Sequence, residues 1–491
     1  MICLDLQQNI DMISEEVGQK NLLIIKKFYI GKIQPLDAAV IYVNGLADKT
    51  IIDRDILNPL MFKIEENLPG KENLADYISK KYISMSNTYI KNNLSDVVHE
   101  IKRGNSAILI NQMSEAIILD TKGGQYRSIG EPENETTIKG PREGFIENLS
   151  TNLSILRRRI KDKNLVIEQF VLGQRSEVDV AIVYLENLAD TSIVNELRKR
   201  INLIDVDKIT DSGVLQQYLE ESTYSVFPQS YATERPDVAT SNILEGKIAI
   251  IVSGTPFVIT LPVVFIEFFQ TVEDYNFKTI SGSLFRLLRV VSIFIVITLP
   301  SIYLTLIKFN AELIPVKFIT PIVQSRIGIA LTPFLEIMGM EVLIELLREG
   351  GLRLPSKVAQ TLSVVGGIII GDTAIRSKMV SPTTLFLVGI TVVTSFVIPN
   401  TEMSLAVRLL RFPMLIISNF LGIYGIGIAW FLIIVHLFSL ENFGVPYLEF
   451  TKNDMLDTFI RAPIWMHDKR PEVIPNKDQI RQTDFRKKWK N

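Results

Sequence analysis

Four charged residues inside an apolar stretch are the first candidates for chemistry. The stretch FLEIMGMEVLIELLREGGLRLP covers residues 334–355. At about 100° per residue, four of its charged side chains share one face of a helix, whereas Glu336 points elsewhere. Charged groups are costly in lipid, so this face predicts an amphipathic helix at a membrane surface or beside a water-filled vestibule. The candidate interfacial or vestibule charges are Glu341, Glu345, Arg348 and Glu349.

A second candidate helix, KVAQTLSVVGGIIIGDTAIRSK, follows at residues 357–378. Gly367 and Gly371 are candidate helix-packing residues, because small residues four positions apart let helix backbones approach closely in lipid. Hydroxyl residues precede the glycines, and Asp372 and Arg376 form an i, i+4 pair after them. Two interpretations remain open: ordinary helix packing, or a helix that lines a pore in an oligomer.

Residues for metal binding or nucleophilic catalysis are scarce. The chain has one cysteine, Cys3, and three histidines, His99, His436 and His467. No Cys/His cluster can hold zinc, no Ser-His-Asp set is suggested, and the loops carry no glycine-rich phosphate signature. The net charge of −2 argues against a general nucleic-acid binder. The sequence therefore predicts no enzyme activity, no cofactor and no metal site.

Long apolar runs divide the chain. Residues 1–282 mix charged and apolar side chains, residues 283–445 are largely apolar, and residues 446–491 are polar again. An uncharged run of 17 residues, Val290–Leu306, follows Arg286 and Arg289, so the positive-inside rule places the first 282 residues in the cytoplasm. The basic end of the tail and the lack of a secretory signal in MICLDLQQNIDM agree with that expectation.

Two further apolar stretches, together with the apolar segments described above, predict a polytopic helical domain of about four spans. They cover residues 385–399 and 412–440. The second stretch is too long for one untilted span, so it either tilts strongly or breaks at its glycines. Those glycines are Gly422, Gly425 and Gly427.

The soluble half contains a repeat. DAAVIYVNGLAD at residues 37–48 resembles DVAIVYLENLAD at residues 179–190, and the same shift of 142 relates Gly31 to Gly173 and Gly104 to Gly246. A constant shift over many residues predicts a tandem duplication. Apolar runs bounded by turn residues predict buried strands, with strand pairs around the turns NQMS and SGTP.

The predicted fold class is an α/β cytoplasmic region made of two tandem related subdomains, followed by an α-helical polytopic transmembrane domain. The α/β subdomains cover residues 1–140 and 162–282, with a basic helical linker at 141–161, a multi-pass transmembrane domain at 283–445 and a cytoplasmic tail at 446–491. Asp48 and Asp190 follow the repeated strands, where they either cap a helix or join a shared ligand site. The basic linker either holds phosphate or lipid headgroups, or presents a solvated or partner-packing face.

Four long stretches carry a resemblance that extends over nearly the whole chain. They are GPREGFIENLSTNLSILRRRIKD, ERPDVATSNILEGKIAIIVSGTPFVITLP, LLREGGLRLP and ENFGVPYL. Together they resemble the A subunit of the bacterial spore germinant receptors, the GerA family. None of them is a catalytic signature, so the resemblance supplies no catalytic residue.

The resemblance implies a multi-pass receptor subunit in the spore inner membrane, with its N-terminal region facing the cytoplasm. It implies a transporter-like B subunit that binds the nutrient and a lipoprotein C subunit. It also implies self-association into a ring, a pentamer, whose central channel releases monovalent cations when nutrients act. The chain would then be a pore-forming subunit that contacts membrane lipid and no nucleic acid.

Within that picture, one helical face is the candidate pore lining. Its apolar residues would form a constriction that gates by dewetting, and its aspartate would concentrate cations at a mouth. The residues are Thr361, Val364, Val365, Ile368 and Asp372. The main alternative is a non-conducting scaffold or signal-transducing subunit for the B subunit. A secondary transporter and a membrane-tethered enzyme fit less well, because the apolar half shows no repeat and the soluble half no catalytic set.

Overall fold

A computed structural model describes residues 2–17, 23–68, 73–123, 130–132, 134–137, 139–353, 371–449, 455–458 and 460–482. The chain divides into two compact units. The α/β unit comprises Met1–Glu220, Ser230–Pro262 and Ile474–Gln479, and the helical unit comprises Glu221–Gln229, Val263–Val473 and Ile480–Asn491.

The first half of the α/β unit is built on an antiparallel sheet. The five strands have the order β1-β2-β4-β5-β3. The elements are α1 (Leu6–Val17), β1 (Leu23–Ile30), β2 (Leu36–Val43), α2 (Lys49–Ile51), a π-helical turn (Ile52–Leu57), α3 (Asn58–Phe62), α4 (Leu74–Lys81), β3 (Thr88–Lys91), α5 (Leu94–Lys102), β4 (Ser106–Ile110) and β5 (Ala116–Leu119).

The second half repeats this arrangement. Its elements are α6 (Leu149–Arg159), β6 (Leu165–Leu172), β7 (Val178–Leu185), α7 (Thr191–Leu203), α8 (Ser212–Leu219), β8 (Tyr231–Thr233), α9 (Pro236–Leu244), β9 (Ile248–Val252) and β10 (Val258–Leu261). The order β6-β7-β9-β10-β8 matches that of the first sheet. The predicted duplication is confirmed, as are the antiparallel pairs β4–β5 and β9–β10 around the two predicted turns.

Helices cover both faces of the first sheet, which explains its nearly continuous apolar strands. In β2, Val40 belongs to a core shared with α3 and α4, while Ile41 belongs to a core shared with α1 and α5. Alternate side chains of a strand point to opposite faces, so a strand buried on both faces is apolar at every position. In the second half, α6 shares a core with Ala181 and Val183 of β7. These two are the repeat equivalents of Ala39 and Ile41, which lie under α1.

The glycines that occupy equivalent positions in both repeats have backbone conformations that favour glycine. Gly31 and Gly173 have φ values of 85° and 87°, and Gly104 and Gly246 have values of 93° and 99°. Side chains are strained in this left-handed region, whereas glycine enters it without a steric cost.

The two repeated aspartates cap helices. Asp48 Oδ1 accepts a hydrogen bond from the backbone N–H of Thr50 at 2.8 Å, and Asp190 Oδ1 accepts one from the N–H of Ser192 at 2.7 Å. Each carboxylate therefore satisfies an amide that the first helical turn leaves without a partner. The capping interpretation is confirmed for both residues.

Helices dominate the second unit. They are α10 (Val272–Asn276), α11 (Thr279–Lys308), α12 (Val316–Arg326), α13 (Pro333–Leu352), α14 (Pro382–Ser395), α15 (Thr401–Ser439) and α16 (Met455–Thr458), with a two-stranded ribbon of β11 (Glu441–Asn442) and β12 (Val445–Pro446). Within the described residues, only α11 and α15 are long and apolar enough to cross a membrane, with mean hydropathies of 2.4 and 2.2. This is fewer than the sequence predicts, because α14 has only 14 residues and a span needs about 20.

The long helix α15 is kinked. Gly422 has a φ of 59° and a ψ of −137°, which interrupt the helix, so one of the predicted breaks is confirmed. A Cβ at this position would lie 3.2 Å from Phe309 Cδ2. In the turn before the kink, the Asn419 carbonyl accepts a hydrogen bond from Lys308 Nζ at 2.7 Å.

Removing either aspartate cap should destabilise its helix by about 1 kcal/mol. We expect Asp48→Ala and Asp190→Ala to accelerate hydrogen exchange in α2–α3 and in α7, respectively. The Ser192 hydroxyl bond holds the pKa of Asp190 below its usual range. The stabilisation by this carboxylate should therefore be complete above the unfolded pKa of about 4 and disappear as the pH falls through the lower, folded pKa.

Asp190→Asn is the matched control, because it keeps an acceptor oxygen and cannot titrate. Its protection from exchange, relative to an unstructured peptide at the same pH, should stay high and independent of pH in that range. Equal exchange in Asp190→Ala and the parent protein would contradict the capping role.

Candidate functional site

Two acidic residues of α13 face two arginines of α15 inside the helical unit. Arg411 Nη1 lies 2.7 Å from Glu341 Oε2, and Arg411 Nη2 lies 2.5 Å from Glu345 Oε1. Arg408 Nη1 lies 3.4 Å from Glu345 Oε2. Residues three or four positions apart share one side of a helix, which is why each helix can present two charges to the other.

The third helix of the site, α14, supplies hydroxyl groups. Thr391 Oγ1 donates to Glu341 Oε1 at 3.3 Å, and Arg348 Nη2 donates to Ser395 Oγ at 3.1 Å. Arg348 Nη1 also lies 4.0 Å from Glu345 Oε1. The site thus joins α13, α14 and α15, and we call its five ionisable residues the charge network: Glu341, Glu345, Arg348, Arg408 and Arg411.

The charge network is largely withdrawn from solvent. The side chains of Glu341 and Arg411 are 1% and 2% exposed, and Glu345 is 26% exposed. A carboxylate this deeply buried is tolerated only when an opposite charge and hydrogen bonds replace its water. The network therefore fixes how α13 and α15 pack, and a movement of either helix has to break or exchange these pairs.

The structure places the four predicted interfacial charges in two different settings. Glu341 differs most from the expectation of a surface or vestibule, since it is buried against Arg411. Glu345 and Arg348 are also members of the charge network. Glu349, at the end of the same helix, is 60% exposed and pairs with Arg353 at 2.7 Å. A helical wheel could not show the first setting, because the arginines come from a segment more than 60 residues further along the chain.

Most of the candidate pore-lining residues lie outside the described residues: Thr361, Val364, Val365 and Ile368, together with Gly367 of the packing pair. Asp372 is described. Its side chain is 57% exposed and its Oδ2 lies 2.6 Å from Arg376 Nε. Gly371 is buried, and a Cβ there would lie 3.4 Å from Leu385 Cδ2. These assignments remain predictions.

Sequence reasoning missed Arg408 and Arg411, although a signal was present. They stand three positions apart in the apolar run SLAVRLLRFPML. Charges that recur on one helical face in such a run predict buried partners. Glu341 and Glu345, four positions apart on another helix, are the matching acids.

A second buried cluster lies at the start of α11 and was also missed. Arg286 Nε and Arg289 Nη1 lie 3.1 Å and 2.6 Å from Asp274 Oδ2. Arg286 Nη1 lies 2.8 Å from Oδ1 of Asp457, a residue of α16. The two arginines that suggest the membrane orientation are therefore held in ion pairs within the protein. They also fasten the C-terminal segment to the base of α11.

The basic segment before the second sheet is held within the α/β unit. Arg158 and Arg159 both pair with the carboxylate of Glu143, Arg159 at 2.7 Å. Arg157 is 7% exposed, and burial lowers its pKa to about 10. Arg157 is therefore not part of a solvated face, while Arg158 and Arg159 are half-buried and paired with Glu143. Across the described residues, no group of three or more His, Cys, Asp or Glu side chains is placed to hold a metal ion.

The fold and the site define a class of protein: a duplicated α/β region followed by apolar helices with ion pairs buried between them. In the part of the chain that the structure describes, two of these helices are long enough to cross a membrane. A family model described as "Bacillus/Clostridium GerA spore germination protein" matches residues 11–473. The chain belongs to this family of spore germination proteins.

Individual relatives are similar to this chain over nearly its whole length. The chain is 36% identical over 486 residues to Spore germination protein KA of Bacillus subtilis (strain 168), covering 98% of this chain and 89% of the relative. It is 33% identical over 482 residues to Spore germination protein B1 of the same organism, covering 97% of this chain and 99% of the relative. These relatives indicate a spore germination protein A subunit.

One solved structure is similar to part of the chain. It is the N-terminal domain of the A subunit of the Bacillus megaterium spore germinant receptor GerK3. The match covers 54% of this chain and 97% of that chain, with 31% identity and a TM-score of 0.43.

Removing one member of the central ion pair should be far more damaging than removing both. Arg411→Met leaves Glu341 buried without its partner, and we expect a loss of about 3–5 kcal/mol in the stability of the helical unit. Glu341→Met combined with Arg411→Met should recover most of that loss. Thermal unfolding of the detergent-solubilised protein measures both effects.

Glu349→Gln is the control for this comparison. It removes a carboxylate from the same helix, but from an exposed pair whose contribution should be about 0–1 kcal/mol. If Arg411→Met were no worse than Glu349→Gln, the network would not hold α13 and α15 together.

Proposed function

We propose that this protein is the A subunit of a nutrient germinant receptor and forms part of an oligomeric, ligand-gated channel for monovalent cations that starts germination. The observation that carries the proposal is the charge network. It holds α13, and the candidate pore residues begin at Thr361, shortly after α13 ends at Leu352. Buried ion pairs between packed helices suit gating, because packed interfaces favour discrete helix positions over gradual ones.

Contacts between α15, which carries two arginines of the charge network, and a segment from the N-terminal part of the chain support the proposal. Segment 221–229 lies in the chain between α8 and β8 and packs within the helical unit. There the Pro228 carbonyl accepts a hydrogen bond from Tyr447 at 2.7 Å. Ser225 Oγ lies 3.0 Å from His436 Nε2 on α15. One end of α15 therefore holds a segment of the soluble repeat, and its other end carries Arg408 and Arg411.

The kink at Gly422 separates these two ends of α15. Movement of segment 221–229 would act on the half of the helix after the kink, whereas the arginines of the network lie on the half before it. A joint of this kind allows a small displacement to become a change of helix packing. The candidate pore face would respond to that change through α13.

The remaining features of the proposal follow from the resemblance to germinant receptor A subunits. The protein would be a multi-pass protein of the spore inner membrane, with the soluble subdomains 1–140 and 162–282 facing the cytoplasm. It would assemble as a ring, a pentamer, with a transporter-like B subunit and a lipoprotein C subunit. The B subunit would bind the nutrient.

Widening the candidate constriction should make the receptor leak. Val364→Ala and Val365→Ala each remove apolar volume from the pore face, so an aqueous path should stay wet without nutrient. We expect a higher basal flux of monovalent cations in liposomes that contain the A subunit with its B and C partners. Val393→Ala is the matched control, because Val393 is 68% exposed on α14, outside the candidate face.

The same assay separates the channel from a non-conducting scaffold. A scaffold would assemble with the partner subunits and give the same flux in all three variants. That result, with assembly intact, would refute the channel proposal.

A further inference from the structure

The corner that ends the repeated twelve-residue stretch is covered by another chain segment in the first half of the α/β unit. The Leu46 carbonyl accepts a hydrogen bond from the N–H of Gly123 at 3.0 Å. Ala47 and Lys122 form an antiparallel bridge. The covering segment follows β5 directly, so the first subdomain completes its own corner.

The second subdomain has the same corner, but a distant segment covers it. The Leu188 carbonyl accepts a hydrogen bond from the N–H of Lys477 at 2.9 Å. Ala189 and Asn476 form the antiparallel bridge. Leu188 and Ala189 are the repeat equivalents of Leu46 and Ala47, so the C-terminal segment occupies the position of Lys122 and Gly123.

The fit is close on both sides of the corner. A Cβ on Gly246 would lie 3.0 Å from Asn476 Cβ, just as one on the equivalent Gly104 would lie 3.4 Å from Lys122 Cγ. Lys477 Nζ donates to the Glu186 carbonyl at 2.9 Å. The corner thus binds an extended backbone segment and one cationic side chain. Gly246, which lies opposite, has no side chain and leaves room for the segment to approach.

The covering residues form the tip of a loop whose stem belongs to the helical unit. Lys469 and Ile480 form an antiparallel bridge across the stem. The N–H of Arg481 donates to the Asp468 carbonyl at 2.8 Å. Upstream, Asp457 and Arg461 tie the same C-terminal region to α10 and α11. We call the tip, Ile474–Gln479, the C-terminal strap.

We propose that the corner at Leu188–Asp190 is a docking surface for an extended peptide, and that its occupant, the C-terminal strap, couples the α/β unit to the helical unit. The docking stands on the backbone and lysine contacts of the strap, while its consequence for ion release rests on the proposed function. The strap is held at this corner by a backbone hydrogen bond to Leu188 and by the contact of Lys477 with the Glu186 carbonyl. The first subdomain cannot act in this way, because its corner is covered by residues adjacent to its own sheet.

Docking is tested by a disulfide in the full-length receptor. The Lys477 N–H donates to the Leu188 carbonyl, so the bridged residues Ala189 and Asn476 are a non-hydrogen-bonded pair, with Cα atoms about 4.5 Å apart. This distance suits a disulfide. Ala189→Cys with Asn476→Cys, on a Cys3→Ser background, should crosslink within one chain under mild oxidation.

Lys477→Pro removes the N–H that binds Leu188, and we expect it to slow the crosslinking about fivefold. Lys477→Ala keeps that N–H and loses only the contact of Lys477 with the Glu186 carbonyl, so as the matched control it should slow the crosslinking less than Lys477→Pro does. Unchanged crosslinking in Lys477→Pro would overturn the docking mode. So would a disulfide between two copies, visible as a dimer on a non-reducing gel.

Coupling is tested by nutrient-triggered cation release from the receptor with its partner subunits. Lys477→Pro should lower the release by about fivefold or more. Oxidation of the variant that carries both cysteines and Lys477→Pro should restore it, because the disulfide replaces the lost bond. Parent-level release in Lys477→Pro, with crosslinking slowed, would refute coupling and leave the channel proposal intact. If the parent receptor released no cations, the channel proposal would fail, while the crosslinking result would still decide the docking.

Discussion

A charge placed among apolar helices needs a partner, and much of the helical unit follows from this constraint. Glu341 and Arg411 are almost completely buried, and each makes the other tolerable. Neither helix can shift alone, because an uncompensated buried charge costs several kcal/mol, on the order of 3–5. The network therefore sets the register between α13 and α15 with few side chains.

The same constraint places the C-terminal end of the chain. Asp274 accepts both Arg286 and Arg289, and Arg286 has bonding capacity left for Asp457. Arg461 adds a bond to the Phe277 carbonyl at the end of α10. These bonds connect the polar C-terminal segment to the start of α11. The chain then continues into the strap, Ile474–Gln479.

The duplication explains why the strap has a place to bind. Both repeats keep the same corner, the same glycine opposite it and the same capping aspartate. They differ in the path that the chain takes after the last strand. After β5 the chain turns back over its own corner, whereas after β10 it leaves to form the 3-10 turn Phe265–Phe269 and the helical unit. The corner of the second copy is therefore left for another segment, and Asn476 and Lys477 fill it.

The sequence by itself determined the local features of this protein. The buried strands follow from local periodicity and the repeat from a constant shift of 142 residues, while the two aspartate caps and the break at Gly422 were each one of the alternatives that the local sequence offered. It also identified the acids of α13. Only the tertiary structure decided what those acids face and which segment covers the second corner. Arg411 and Lys477 lie 70 and 289 residues away in the chain from Glu341 and Leu188. The spacing of charges on one helical face indicates that partners are needed, but the chain's path, not its local pattern, decides which residues meet over such separations.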